Sequence, residues 1–138
     1  MSASGLLTIG QASAQSGVSA KMIRHYEQLG LLCSSRTAAG YRLYNANQLQ
    51  QLVFIRKARD LGFSSNRMKE LLLLWQNPAR PSREVKQLAT AHLAEISAKI
   101  ARLQQMQLLL QQLADACDGN ETPHCAILLA LQQDKELQ

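Results

Sequence analysis

The sequence predicts a mainly α fold of 138 residues with one small β element. Three observations point there. Apolar residues make up 46% of the chain but aromatics only 4%, the balance of a Leu/Ala-rich helical protein. Apolar positions recur at helical spacing, each run preceded by a Ser, Thr or Asn suited to an N-cap. Charge is uneven: residues 1–76 carry nine Lys/Arg against three acids, whereas residues 77–138 carry six against seven. A basic half joined to a near-neutral half suggests nucleic-acid binding in the first and another task in the second.

Taken in order, Thr8 can cap a first short helix, Ile9 to Ser16. Gly17 supplies the positive φ of a tight turn. Ser19 caps a second helix, in which Ile23, Tyr26 and Gly30 follow at helical spacing. Lys21, Arg24 and His25 therefore project from the opposite face. Two short helices, a Gly-bearing turn and a basic second helix read as helix-turn-helix. Leu31-Leu32 and Tyr41 to Tyr44 are β-compatible runs around a Gly-containing connection, which predicts a hairpin, or wing. Arg36, Tyr41 and Arg42 would sit on it, residue types suited to phosphate and sugar contacts.

Asn45 can cap a helix from Ala46 to Leu61, with Leu49, Leu52, Val53, Ile55 and Ala58 inward and Arg56, Lys57 and Arg59 outward. Gly62 ends it as a C′ residue would. Ser64 caps the next helix, Ser65 to Gln76, with Met68, Leu71, Leu72 and Trp75 as core. Asn77 to Pro81 holds two prolines and breaks the chain, so a winged helix-turn-helix domain is expected over 1–76. A linker and long helix follow over 77–116, Ser82 standing where it can cap a helix running to Ala116. Thirty-four helical residues make a rod of about 51 Å. Leu93, Ile100, Gln107 and Ala114 at one heptad position, with Ala89, Ile96, Leu103 and Leu110 at the other, form a coiled-coil stripe. A lone rod has nothing to bury this stripe against, so it should pair with a second copy. Gln107 either fixes the register of that seam or is tolerated in it.

Residues 117–138 should form a loop and a short apolar helix from about Ile127 to Gln132. Asp118-Gly119-Asn120 and Pro123 are turn formers, so Cys117 and Cys125 flank a loop that can fold back and bring them together. Two such thiols can be plain, can form a redox pair, or can bind metal; the metal reading is favoured. Soft thiolates select soft ions such as Cu(I), Ag(I) and Au(I). Zinc would normally call for four N/S ligands. Cys33 lies far upstream, and His124, adjacent to Cys125, is expected to face solvent.

An odd count of three cysteines argues against a disulfide framework. There is no apolar run long enough to span a bilayer and no visible secretion signal, so a cytoplasmic location is expected. A thiol oxidoreductase would show Cys-x-x-Cys on a βαβ pattern, and neither is present; no enzyme is expected.

The residues IG, SGVSAKMIRHYEQLGLL and SRTAAGYRLY together resemble the N-terminal DNA-binding domain of the MerR family of bacterial transcription regulators. The match is dense over residues 8–76 and continues more loosely to about residue 131. His25 stands where relatives usually carry Tyr or Phe. The resemblance implies a homodimer joined by antiparallel long helices. It implies a palindromic operator between promoter elements, RNA polymerase as partner, and metal-driven conversion from repression to activation by DNA distortion. Expected DNA contacts are Lys21, Arg24 and Tyr26 from the recognition helix, Arg36, Tyr41 and Arg42 from the wing, and Arg59, which the resemblance places near the DNA backbone. Cys-x₇-Cys after the long helix looks like the metal loop of the copper-efflux branch, which senses Cu(I), Ag(I) or Au(I) through two thiolates; by position these are Cys117 and Cys125. Relatives sensing divalent ions carry a cysteine at the start of the long helix that reaches the metal site of the other subunit; this chain has Ser82 at that position, so the resemblance implies selectivity for a monovalent ion. A thiol-redox regulator on the same scaffold and a Zn/Hg sensor are the alternatives.

Overall fold

The computed structural model describes residues 5–121 and 123–133; residues 1–4, Thr122 of the expected loop and residues 134–138 lie outside it. The order is β1 (Leu7–Thr8), α1 (Ile9–Ser16), α2 (Ala20–Gln28), β2 (Ser35–Arg36), β3 (Arg42–Tyr44), α3 (Ala46–Asp60), α4 (Ser65–Gln76), α5 (Ser82–Ala116) and α6 (Ala126–Gln132). The mainly helical expectation holds, and the predicted helix limits fall within a residue or so of those observed.

The caps explain why. Thr8 and Gln11 form a reciprocal capping box at the start of α1, and Asn45 and Gln48 form another at α3. Ser19 Oγ accepts from Met22 N at 3.2 Å, and Ser64 Oγ accepts from Arg67 N at 3.3 Å. Each side chain satisfies a backbone donor that the first helical turn leaves unpaired. α2 ends in a Schellman turn: Leu31 N donates to Tyr26 O and Gly30 N donates to Glu27 O, both at 3.0 Å, with Gly30 at φ 78°. A side chain at that φ would be strained, which is why glycine stands there. Ser82 departs from expectation. It is the exposed first residue of α5 rather than the residue capping it, since the helical turn already begins beside Pro81, whose carbonyl accepts from Glu84 N. Proline suits that entry because it has no N–H to leave unpaired.

The wing differs from expectation too. Leu31 and Leu32 are buried and lie outside any strand, while the sheet has three strands in the order β1-β3-β2. Both pairings are antiparallel, with Leu7 opposite Tyr44 and Arg36 opposite Arg42. β1 is two residues long, too short to leave a period-two pattern in the sequence.

The chain divides into two compact units, residues 1–88 and 89–138, the division falling within α5 rather than at the proline-bearing connection. The first unit holds the core: Ile23 and Tyr26 of α2, Tyr44 of β3, Leu52 and Ile55 of α3, and Met68 and Leu72 of α4. Each fully buried large apolar side chain contributes about 1.5–3 kcal/mol relative to exposure. This burial packs α2 against α1. Trp75, expected as core, is half-buried and stacks on Phe54 with ring centroids 4.7 Å apart. In the second unit, Leu93, Ile100, Leu103 and Leu110 of α5 are each more than half exposed. These four belong to the expected stripe, but exposure is not confined to it, since Met106 and Leu108 of the same helix are more than half exposed as well. Among the described residues no helix is long and apolar enough to cross a membrane.

Candidate nucleic-acid interface and thiol pair

The interface begins with the α2 stripe. Lys21, Arg24 and His25 are all exposed, and with Met22 and Gln28 they line a shallow hollow of about 520 Å³. A basic, solvent-facing helix after a Gly17 turn is the part of a helix-turn-helix that enters a major groove.

Tyr26 is a correction. Only 2% of it is exposed, and its hydroxyl accepts from Arg59 Nη1 at 3.0 Å. It sits three residues after Ile23 on the buried face, so its ring serves the core. Arg59 is exposed on α3 and is tied by that hydrogen bond to the recognition helix. Arg56, expected outward, is half-buried over the helix-turn-helix: a Cβ on Gly17 would lie 2.6 Å from its Nη1.

On the wing, Tyr41 is 73% exposed, and exposed Arg36 donates from Nη1 to Gly40 O at 3.1 Å, closing the hairpin. Arg36 and Arg42 face each other across β2 and β3, a like-charge pair that would repel unaided. Glu27 resolves it. Its Oε2 accepts from Arg42 Nε at 2.7 Å and its Oε1 accepts from Tyr44 Oη at 2.6 Å. Burial pushes the Glu27 carboxyl up, but hydrogen bonds from Tyr44, Arg42 and Ser34 and the charge of Arg42 outweigh it and hold the group below the usual carboxylate range. Burial and the Glu27 hydrogen bond push the Tyr44 phenol above its ordinary value, so it remains a donor. Sequence reasoning missed Glu27. The available signal was an acid standing alone in a basic helix. Arg42 is therefore an anchored side chain, its Nε held by Glu27.

In the second unit α5 ends at Ala116, and Cys117 N donates to Ala114 O at 3.1 Å. The loop turns through Gly119, at φ 65°, and Cys125 occupies the N-cap position of α6. The two sulfurs come to 3.7 Å, both half-buried. The backbone N–H of Leu128, then the Cys117 thiol and the N–H of Ile127, favour a thiolate at Cys125 and outweigh burial, which opposes it. No side-chain capping hydrogen bond is closed there, so the pull is chiefly that of oriented dipoles. His124 is exposed, and Cys33 is an exposed thiol of the other unit. Among the described residues no group of three or more His, Cys, Asp or Glu is assembled, so the thiols stand as a pair.

Comparison with known proteins gives this arrangement its place. A family model described as "MerR HTH family regulatory protein" matches residues 7–74, and one described as "MerR, DNA binding" matches residues 49–113. The chain is 49% identical over 123 residues to heavy metal-dependent transcription regulator 2 of Rhizobium meliloti (strain 1021), covering 88% of this chain and 84% of that one. It is 38% identical over 126 residues to the HTH-type transcriptional regulator CueR of Yersinia pestis, with 91% of each chain covered. Among solved structures, the transcription regulator PbrR691 from Ralstonia metallidurans CH34, in complex with lead(II), superposes with a TM-score of 0.78 at 31% identity, covering 91% of this chain and 98% of that one. A basic helix-turn-helix with its wing, followed by a long helix and matched over nearly the whole chain by such relatives, places this protein in the MerR family of transcription regulators.

Proposed function

We propose that this chain is a heavy-metal-responsive transcription regulator. As a homodimer it binds a two-fold promoter operator, and it activates transcription when Cys117 and Cys125 hold Cu(I), Ag(I) or Au(I). The observation that carries the metal-responsive part of the reading is the 3.7 Å thiol pair in a chain that also holds a helix-turn-helix. A disulfide needs about 2.0 Å, so these sulfurs stand as two separate donors. The donor set is soft and suits a soft ion. Two features favour a monovalent ion: no third His, Cys, Asp or Glu joins the pair among the described residues, and Ser82 rather than a thiol opens α5. Two thiolates and one monovalent charge leave −1, which a helix N-terminus tolerates.

Dimerisation follows from the exposed α5 stripe, which needs a partner surface. Two-fold protein symmetry then calls for a two-fold DNA site. Lys21, Arg24, Arg36, Tyr41, Arg42 and Arg59 are the proposed DNA contacts. Metal biases a two-state equilibrium toward a form that distorts the promoter for RNA polymerase.

The second reading is a divalent sensor. It is favoured by the lead(II) in PbrR691 and by the sulfur separation: bonds of about 2.3 Å bridge 3.7 Å at a near-tetrahedral angle but need about 4.6 Å in a straight line. The test is metal content of protein purified under reducing conditions, with promoter activation across a panel of ions. Activation by Cu(I), Ag(I) or Au(I) alone supports the monovalent reading. Activation by Zn(II), Hg(II) or Pb(II) alone refutes it.

A further inference from the structure

His25 shares one exposed stripe of α2 with Lys21, Arg24 and Gln28, residues three and four apart that fall on one helix face. The hollow they line is built from α2 residues alone, so the ionisable neighbours of the imidazole there are Lys21 and Arg24. Other charged groups around α2 do not line that hollow, among them Lys69 of α4, whose Nζ lies beside Gly30. Glu27 is held by Arg42 and Tyr44 of the wing, Arg59 of α3 points to Tyr26, Arg56 lies over Gly17, and α1 carries no charged residue. The imidazole and Tyr26 rings have centroids 6.2 Å apart and are tilted by 45°.

A neutral imidazole offers one N–H donor, whereas the imidazolium offers two and a positive charge. A DNA phosphate brought against this stripe therefore favours the protonated form. We propose that His25 is a proton-linked DNA contact: it takes up a proton from solvent as operator phosphate docks, so operator affinity rises as pH falls from 8 to 6. The inference rests on the operator-binding reading above. The sign follows from linkage, because the bound state holds the extra proton. An imidazole whose proton affinity rises tenfold on docking tightens binding by up to about tenfold per protomer, and by up to about a hundredfold for a dimer.

The probe is a duplex enriched by the full-length protein from a random-sequence pool at pH 8. Fluorescence anisotropy then measures its affinity from pH 8 to pH 6 at constant ionic strength, for the native chain and for His25→Gln and His25→Phe. His25 is exposed, so neither variant disturbs the core, and His92 and His124 remain in all three proteins and cancel in the comparison. The native protein is expected to tighten several-fold more per protomer than either variant over this range. Parallel pH curves overturn the proposal while leaving operator binding intact. Failure to enrich or bind any duplex at pH 8 overturns operator binding itself.

Discussion

Tyr44→Phe removes one oxygen at the joint between the wing and the recognition helix. The Tyr44 ring is fully buried, and phenylalanine fills the same space, so packing is retained. What is lost is the 2.6 Å hydrogen bond from the phenol to Glu27 Oε1. A hydrogen bond to a charged group is worth about 1.5–3 kcal/mol. Glu27 keeps Arg42 on its other oxygen, and 13% of its side chain remains open to water, which recovers part of the loss. The expected penalty is thus about 1–2 kcal/mol, a fall of roughly 0.5–1 M in the urea midpoint. The penalty should depend on pH. Glu27 titrates below its ordinary 4.5 in the folded chain, so its contribution is present above that value and lost as pH falls through the folded one. The assay is urea unfolding followed by circular dichroism at pH 7 and stepwise down to pH 3, at one protomer concentration for both proteins. The native chain should lose more stability on acidification than Tyr44→Phe, narrowing the gap between them. A penalty below about 0.5 kcal/mol at pH 7, or one that grows on acidification, refutes the reasoning about Glu27.

Arg24→Ala should weaken operator binding at least tenfold and flatten its salt dependence while metal affinity stays nearly constant; filter binding across a salt series measures both. Cys117→Ser or Cys125→Ser should abolish metal-dependent activation in a reporter assay yet leave DNA binding in place, whereas Cys33→Ser should change neither. Ser82→Cys should shift induction toward Zn(II) or Hg(II). A third thiolate, supplied across the proposed dimer from the start of the other subunit's long helix, would leave −2 with a monovalent ion, costly in a site sheltered from water, but only −1 with a divalent one. Identical induction profiles for mutant and parent would place selectivity within the 117–125 loop instead.

The sequence by itself determined the helices and their ends. Thr8, Ser19, Asn45 and Ser64 act on backbone groups three residues away, and Gly17 and Gly62 act on their own φ angles, so their effects are written locally. The charge division and the exposed basic face of α2 were legible for the same reason: helical periodicity carries side chains to one face or the other without reference to distant residues. Tertiary structure decided what depends on contacts across the chain. Arg59 reaches Tyr26 over 33 residues, and Glu27 gathers Arg42 and Tyr44 over 15 and 17, turning an expected DNA contact into core and an unremarked acid into the pin of the wing. β1 exists only because β3 offers it a partner. The cysteine spacing allowed Cys117 and Cys125 to meet, but only the folded turn through Gly119 brought their sulfurs to 3.7 Å. Such pairings are set by where packing holds the backbone, and packing is a property of the assembled core.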